Sequence, residues 1–346
     1  MQGMQSAIVT GPTGAVGMAL INNLISHGIR VAAVVRPGSA RAARIKDNPL
    51  LTKVECGLDE LDKLKDRLAQ TGFSTGSADE RMGGLVFYHL GWDGTFGNSR
   101  NNMHGQNLNV KYSLDAVDAA NECGCEGWIG TGSQAEYGRF EGKLNAQVPA
   151  FPENGYGIAK LCAGQMTRIA CSQYGMRHVW TRILSIYGPY DGEKTMVMST
   201  IAALLDGRIP DCTKGEQEWD YLYSDDAGRA LMLLGQSGHD GKIYCIGSGR
   251  TRPLREYIED IRDAVNPDAQ INFGAVDYAP KQVFYLCADI SDLHDDTGFE
   301  PSTAFADGIK DTINYLKSEK INEKNCSHIY DSGNRNSCVF KWLQHK

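Results

Sequence analysis

The chain has 346 residues, 42% of them hydrophobic and 22% charged, a composition that excludes a disordered chain or a peptide-sized scaffold. Lys and Arg total 35 against 42 Asp and Glu, and the net charge of −7 gives no footprint for a phosphate backbone, so no nucleic-acid partner is expected. The start, MQGMQSAIVTGPTGAVG, lacks a charged region followed by a long apolar one, and no apolar run approaches the roughly 20 residues of a membrane span. The expectation is a cytoplasmic protein with no membrane partner.

In chain order, Ala7 to Thr10 reads as a strand, Ala15 to His27 as a helix, and Val31 to Val35 and Leu85 to Leu90 as further strands. A helix is predicted from Asn102 to Asn121, a strand from Trp128 to Thr131 and a long helix from Tyr156 to Tyr174. An apolar run follows from His178 to Tyr187. Beyond it, helices are expected at Thr195 to Leu205, Asp226 to Leu234 and Leu254 to Val265, with a strand at Lys242 to Ile246. Apolar strands separated by helices indicate parallel β-α-β units, hence an α/β fold with a Rossmann-type doubly wound parallel sheet. The expected division is a nucleotide-binding domain over residues 1–187, a mainly substrate-binding region over 188–317 that lends strand 242–246 back to the sheet, and a polar tail over 318–346. The tail reads as a poorly ordered appendage or a short docked helix.

Ten cysteines are scattered along the chain, several inside apolar stretches, and are expected to be reduced. Neither the Cys123–Cys125 pair nor the tail residues Cys326, His328, Cys338 and His345 have the paired-cysteine knuckles of a zinc site, so no metal is expected.

The first strand runs straight into Thr10-Gly11-Pro12-Thr13-Gly14-Ala15-Val16-Gly17, and the next helix begins near Ala15. Glycines placed this way let the chain turn tightly, let backbone amides approach a pyrophosphate, and let the helix pack on the sheet with its positive end toward the phosphates. At the end of the second strand, where a carboxylate would hold the ribose hydroxyls of NAD, stands Arg36, with Arg41 nearby. A guanidinium grips a 2′-phosphate where a carboxylate would repel it, so NADP is expected in preference to NAD.

Tyr156 and Lys160 lie four residues apart on one face of a predicted helix. An ammonium at that spacing is expected to favour the phenolate and lower the tyrosine pKa toward a range useful for proton transfer. Ser133 ends a predicted strand in Gly132-Ser133-Gln134-Ala135-Glu136-Tyr137-Gly138, where its hydroxyl could hold the substrate oxygen that Tyr156 protonates.

With these motifs in place, the chain resembles the extended short-chain dehydrogenase/reductases, the nucleotide-sugar epimerase/dehydratase branch in particular. The resemblance runs from Ala7 to about Leu316 and rests on TGPTGAVG, VFYHLGW, Asn109, GSQAEYG, YGIAK, RILSIYGP, WDYLYSDDAGRA and TGFEP, in that order. It implies a catalytic triad of Ser133, Tyr156 and Lys160, with Lys160 also touching the nicotinamide ribose. Leu90, Gly91 and Trp92 would lie beside the cofactor and Leu58 near its adenine. A homodimer through the helices 102–121 and 156–174 is implied, together with hydride transfer at a sugar carbon, usually C4.

Where the family's 4,6-dehydratases carry Thr-Asp-Glu, this chain has Ser133, Gln134 and Ala135, which removes the acid and base of the elimination. Glu136 is one position later, and on a strand it would face away from Ala135. The arginine that often clamps the nucleotide diphosphate is replaced in Trp219-Asp220-Tyr221, Ser185 replaces a frequent Asn, and Gly57 replaces a frequent Asp near the adenine. Trp92, Gln134, Ser185, Trp219, Arg252 and Lys281 form the expected substrate-facing set, with Arg250 as a further source of charge. Trp92, Trp219 and Tyr221 would make an aromatic floor or belong to the core. The expected function is an NADP(H)-dependent 4-keto reductase acting on a nucleotide sugar. The alternatives are a nucleotide-sugar 4-epimerase or, in another class, a non-catalytic sensor of NADP redox state.

Overall fold

The computed structural model describes residues 3–331. Seven strands form one parallel sheet: β1 (Ser6–Thr10), β2 (Arg30–Val35), β3 (Leu51–Glu55), β4 (Leu85–His89), β5 (Gly127–Ser133), β6 (Arg177–Ile183) and β7 (Lys242–Ile246), in the spatial order β3-β2-β1-β4-β5-β6-β7. Alternate residues feed opposite faces. Ala7 and Val9 of β1, Val31 and Ala33 of β2, and Val86 and Tyr88 of β4 join one core, whereas Ile8, Ala32, Val34 and Phe87 join the other. Burial on both faces is why these strands read as continuous apolar runs.

Helices α1 (Ala15–Ser26) and α6 (Ser224–Ser237) cover the first face. Helices α2 (Leu64–Thr71), α3 (Met103–Glu122) and α4 (Gly155–Gln173) cover the second, where α3 and α4 pack side by side. Helices α5 (Met196–Leu205), α7 (Leu254–Val265) and α9 (Phe305–Asp331) enclose a smaller separate core around Tyr187, Ile201, Leu204, Ile261, Ile309 and Ile313. Helix α8 (Ser291–Thr297) packs beside α6.

The doubly wound sheet expected from sequence is present, with two local differences. The run from His178 to Tyr187 is not one strand: β6 stops at Ile183, and Ser185–Tyr187 leaves the sheet to pair with Tyr221–Tyr223. The chain crosses there from the large sheet into the smaller lobe. Second, α9 runs across the boundary placed at residue 317. Of the zinc candidates in the tail, Cys338 and His345 lie outside the described residues, as do the side chains of Cys326 and His328. The eight described cysteines form no disulfide, and seven of them are buried. Among the described residues no helix is long and apolar enough to cross a membrane.

Candidate active site

The strand order turns back on itself between β1 and β4, so the loops leaving their carboxyl ends part and open a crevice at that edge. The two loops touch at their bases. Gly11 has φ +67°, and a Cβ there would meet the Gly91 amide nitrogen at 2.6 Å. A Cβ on Gly17 would meet the Gly11 carbonyl oxygen at 2.4 Å, so both positions require glycine. Gly14 is the N-cap of α1; no side chain caps the helix and its first turn holds no acidic residue. A Cβ on Gly14 would meet nothing within 4 Å, so the helix start faces open space. Free amides at Ala15 and Val16, the positive end of α1 and a backbone that approaches closely fit a dinucleotide's pyrophosphate.

Leu58 lies over Gly91, its Cδ2 only 2.9 Å from where a Cβ of Gly91 would stand, and so walls the same crevice. Arg36 is exposed just past the end of β2. Arg44, which sequence reasoning missed, donates from Nη1 to the Thr13 carbonyl at 3.1 Å and lies over the Tyr190 ring at 5.4 Å. Its only sequence signal was membership of the Arg36, Arg41, Arg44 cluster.

Beneath the crevice, the His89 ring bonds the Thr10 hydroxyl at 3.0 Å and the Ser113 hydroxyl at 3.4 Å. Burial first, and then the Lys160 charge, push its pKa down to about 3, so this ring stays neutral. Asn109 exchanges two hydrogen bonds with the backbone of Asp93 (3.0 and 2.9 Å) and thereby fixes the chain that follows Trp92.

Helix α4 carries the tyrosine and lysine. Asn154 caps it, accepting from the Gly157 amide at 2.9 Å, and Asn101 accepts from the Gly155 amide at 2.9 Å, tying the Trp92 loop to the helix start. Lys160 is 4% exposed and donates to the Thr131 carbonyl at 2.5 Å, with its Nζ 3.8 Å above the Trp92 ring. Trp92 meets Tyr156 edge to face at 6.1 Å, and its indole donates to Gln106 at 2.9 Å. Ser133 stands at the end of β5 beside Tyr156, close enough to influence the phenol. The structure therefore brings Ser133, Tyr156, Lys160 and Trp92 together at the crevice mouth.

The expected effect of Lys160 on Tyr156 is not found. Burial pushes the Tyr156 phenol above its ordinary value, and the groups that pull it back are the Ser133 hydroxyl and Arg100, whose guanidinium lies 4.7 Å above the ring. Lys160 is turned toward Thr131 and Trp92 instead, with its Nζ 5.9 Å from the Tyr156 ring centre. Burial brings its own pKa down to about 7, against the raising influence of Glu136. Arg100 belongs to the turn Gly97–Asn101 and gave no sequence signal beyond being a cation in a polar loop.

The substrate-facing set divides. Gln134 is half-buried in the turn beside Ser133, and the Trp219 indole donates to the Ser185 hydroxyl at 2.8 Å, so those two act as one unit. Arg252 is committed elsewhere, with Nη2 2.5 Å from Asp260 and the guanidinium stacked on Tyr257 at 3.9 Å. Lys281 is well exposed and 3.8 Å from Glu153, while Arg250 is exposed. Tyr221 packs among Tyr187, Tyr257 and Phe305 and belongs to the core of the smaller lobe, not to a common floor with Trp92. Asp220 is wholly buried and accepts the amides of Ser248, Gly249 and Ala288 at 2.7 to 3.0 Å, which makes it a structural clamp. Glu136 is not on a strand: it lies in the short 3-10 turn Gln134–Glu136, and its carboxylate is buried against Arg182 at 2.7 Å.

The sequence profile of the NAD dependent epimerase/dehydratase family matches residues 7–247. Among curated relatives, a dTDP-glucose 4,6-dehydratase of Streptomyces niveus is 27% identical over 182 residues, 52% of this chain and 54% of the relative, so the chain spans about half the length of that protein. A CDP-abequose synthase of Salmonella typhimurium is 22% identical over 316 residues, 89% of this chain and 97% of the relative. Among solved structures, a UDP-N-acetylglucosamine 4-epimerase from Methanobrevibacter ruminantium superposes with a TM-score of 0.79 at 21% identity, covering 92% of this chain and 100% of that one. The sheet order, the glycine-rich turn and the profile match agree: this chain belongs to the NAD dependent epimerase/dehydratase family.

Proposed function

We propose that the protein is an NADP(H)-dependent oxidoreductase that reduces the C4 ketone of a nucleotide sugar. The observation that carries this reading is the meeting of Ser133, Tyr156 and Lys160 at the mouth of the crevice, next to a turn in which Gln134 and Ala135 offer no acid or base. The dinucleotide would be held by the α1 amides at Gly14, Ala15 and Val16, with Leu58, Leu90 and Gly91 along one wall and Arg36 at the 2′-phosphate. When bound, the reduced nicotinamide supplies a hydride to the C4 carbon. The Ser133 hydroxyl donates to the C4 oxygen and orients it, and the Tyr156 phenol gives that oxygen its proton. Lys160, whose pKa burial brings down to about 7, would hold the ribose, and the tyrosine regains its proton from solvent after the product leaves.

Lys160 is held between the Trp92 ring and the Thr131 carbonyl. Trp92, Gln134, Ser185 and Trp219 would line the path of the sugar, and the exposed cations Lys281, 3.8 Å from Glu153, and Arg250 are the candidates to meet a diphosphate. The exposed apolar residues Leu108 on α3 and Ile158, Met166 and Ile169 on α4 support a homodimer through these two helices.

A 4-epimerase is the second reading, favoured by the likeness to the epimerase structure and by the fact that the same three residues can serve oxidation and reduction in turn. The two readings part on cofactor retention. Mass spectrometry of protein purified without added cofactor should find it empty, with reversible NADPH binding tighter than NADH. A stoichiometric copurifying dinucleotide would favour the epimerase.

A further inference from the structure

Glu136 is 0% exposed, and every oxygen of its carboxylate is used. Oε1 accepts from the Ser133 amide at 2.8 Å, Oε2 from Arg182 Nε at 2.7 Å, and the Trp180 indole lies 3.2 Å from both. Arg182 and Trp180 both come from β6, so the carboxylate pins the turn after β5 to the neighbouring strand. There is no spare room: a Cβ on Gly132 would stand 2.1 Å from Oε1. In return, Ser133 Oγ accepts from the Ala135 amide at 3.2 Å, which completes a reciprocal capping box around a turn of only three residues. A hydroxyl that already accepts one backbone hydrogen bond keeps its own proton to donate outward.

Burying an ion pair costs desolvation of both charges, and apolar residues of similar volume often stabilise a fold as well or better. Stability alone therefore does not account for a carboxylate here, whereas its bond to the Ser133 amide does. We propose that Glu136 is a positioning residue, whose carboxylate, clamped by Arg182 and Trp180, holds the Ser133 backbone so that the Ser133 hydroxyl presents its proton to the substrate oxygen. This rests on the reading of Ser133 and Tyr156 as the reacting pair.

Removing Glu136 alone would strand the Arg182 guanidinium, whose Nη1 finds no partner among the described residues. The test therefore uses Glu136→Gln, which keeps an acceptor for the Ser133 amide, and the pair Glu136→Val with Arg182→Met, which removes the acceptor and both charges. Amide hydrogen exchange on the full chain needs no substrate. Protection of the Ser133 amide should persist in Glu136→Gln and fall by about tenfold or more in the pair; unchanged protection in the pair overturns the proposal.

Turnover is then followed with NADPH and dTDP-4-keto-6-deoxyglucose. The pair should lower kcat by about 10- to 100-fold, with NADPH affinity unchanged within about twofold, and should add nothing in a Ser133→Ala background. A merely structural role would instead multiply the Ser133→Ala loss in full, and that result overturns the proposal, as does an unchanged kcat in the pair. If Ser133→Ala itself leaves turnover intact, the reading of the reacting pair falls, and the exchange result still decides what Glu136 holds.

Discussion

Lys160 shows how burial sets the chemistry of a single side chain. Its folded pKa of about 7 lies below the ordinary lysine value of 10.5, because the ammonium is enclosed by Trp92 and the end of β5. Between those two pH values the unfolded chain binds a proton that the folded chain does not. Stability therefore rises as pH climbs through this window, and below it the full cost of burying the charge is present. Lys160→Met should raise the melting temperature at about pH 6 and do so less at about pH 10, as read by thermal denaturation. An equal change at both would contradict the burial argument. Tyr156→Phe should lower turnover by about 100-fold or more while leaving NADPH affinity unchanged. Arg36→Ala should weaken NADPH binding about tenfold or more and leave NADH nearly untouched, read by titration with both cofactors.

The readable part of the site is the part encoded locally. The glycine turn and the Tyr156–Lys160 pair are short-range spacings, so periodicity and sterics were enough to find them. Glu136 and Arg182 lie 46 residues apart and Lys160 lies 29 from Thr131, and only the parallel register of β5 with β6 and the packing of α4 bring such groups together. Arg100 is likewise placed over Tyr156 by a loop whose path no spacing encodes.

At the scale of elements, the strands buried on both faces were legible as apolar runs, and helices with a clear apolar stripe, such as α7, were found at their true bounds. The edge strand β3 was not, because only Val54 of Leu51–Glu55 is buried and the segment carries Lys53 and Glu55 on its open side. The short helices α2 and α8 escaped for a similar reason, each burying only one or two leucines. The turn between β1 and α1 is the element under tightest steric control. Gly17→Ala would drive a methyl group into the Gly11 carbonyl, which must move with the whole turn. It should cost about 1–3 kcal/mol of stability and abolish detectable NADPH binding, whereas Gly14→Ala, which points into open space, should leave stability within about 0.5 kcal/mol. Denaturant unfolding and cofactor titration on the two variants check this contrast.

For the whole molecule, the sheet and its two cores form the platform, and the smaller lobe built on α5, α7 and α9 is entered from the carboxyl end of β6 through Ser185–Tyr187. The outer faces of α3 and α4 leave Leu108, Ile158 and Ile169 between 47% and 52% exposed, a patch that a second copy would cover. Ile158→Asp with Ile169→Asp should convert a dimer to a monomer in light scattering and leave the secondary structure unchanged; a monomeric parent protein would contradict that assembly. On the proposed function, this platform would deliver a hydride to a sugar C4 ketone while Tyr156 protonates its oxygen. The most direct test is to incubate the protein with NADPH deuterated at the transferring position and dTDP-4-keto-6-deoxyglucose, and to locate the label by NMR. Deuterium on C4 of a sugar alcohol, formed with equivalent NADPH oxidation and lost in Tyr156→Phe, is the predicted result. A C4-inverted product without net NADPH oxidation, or label on any other carbon, would contradict it.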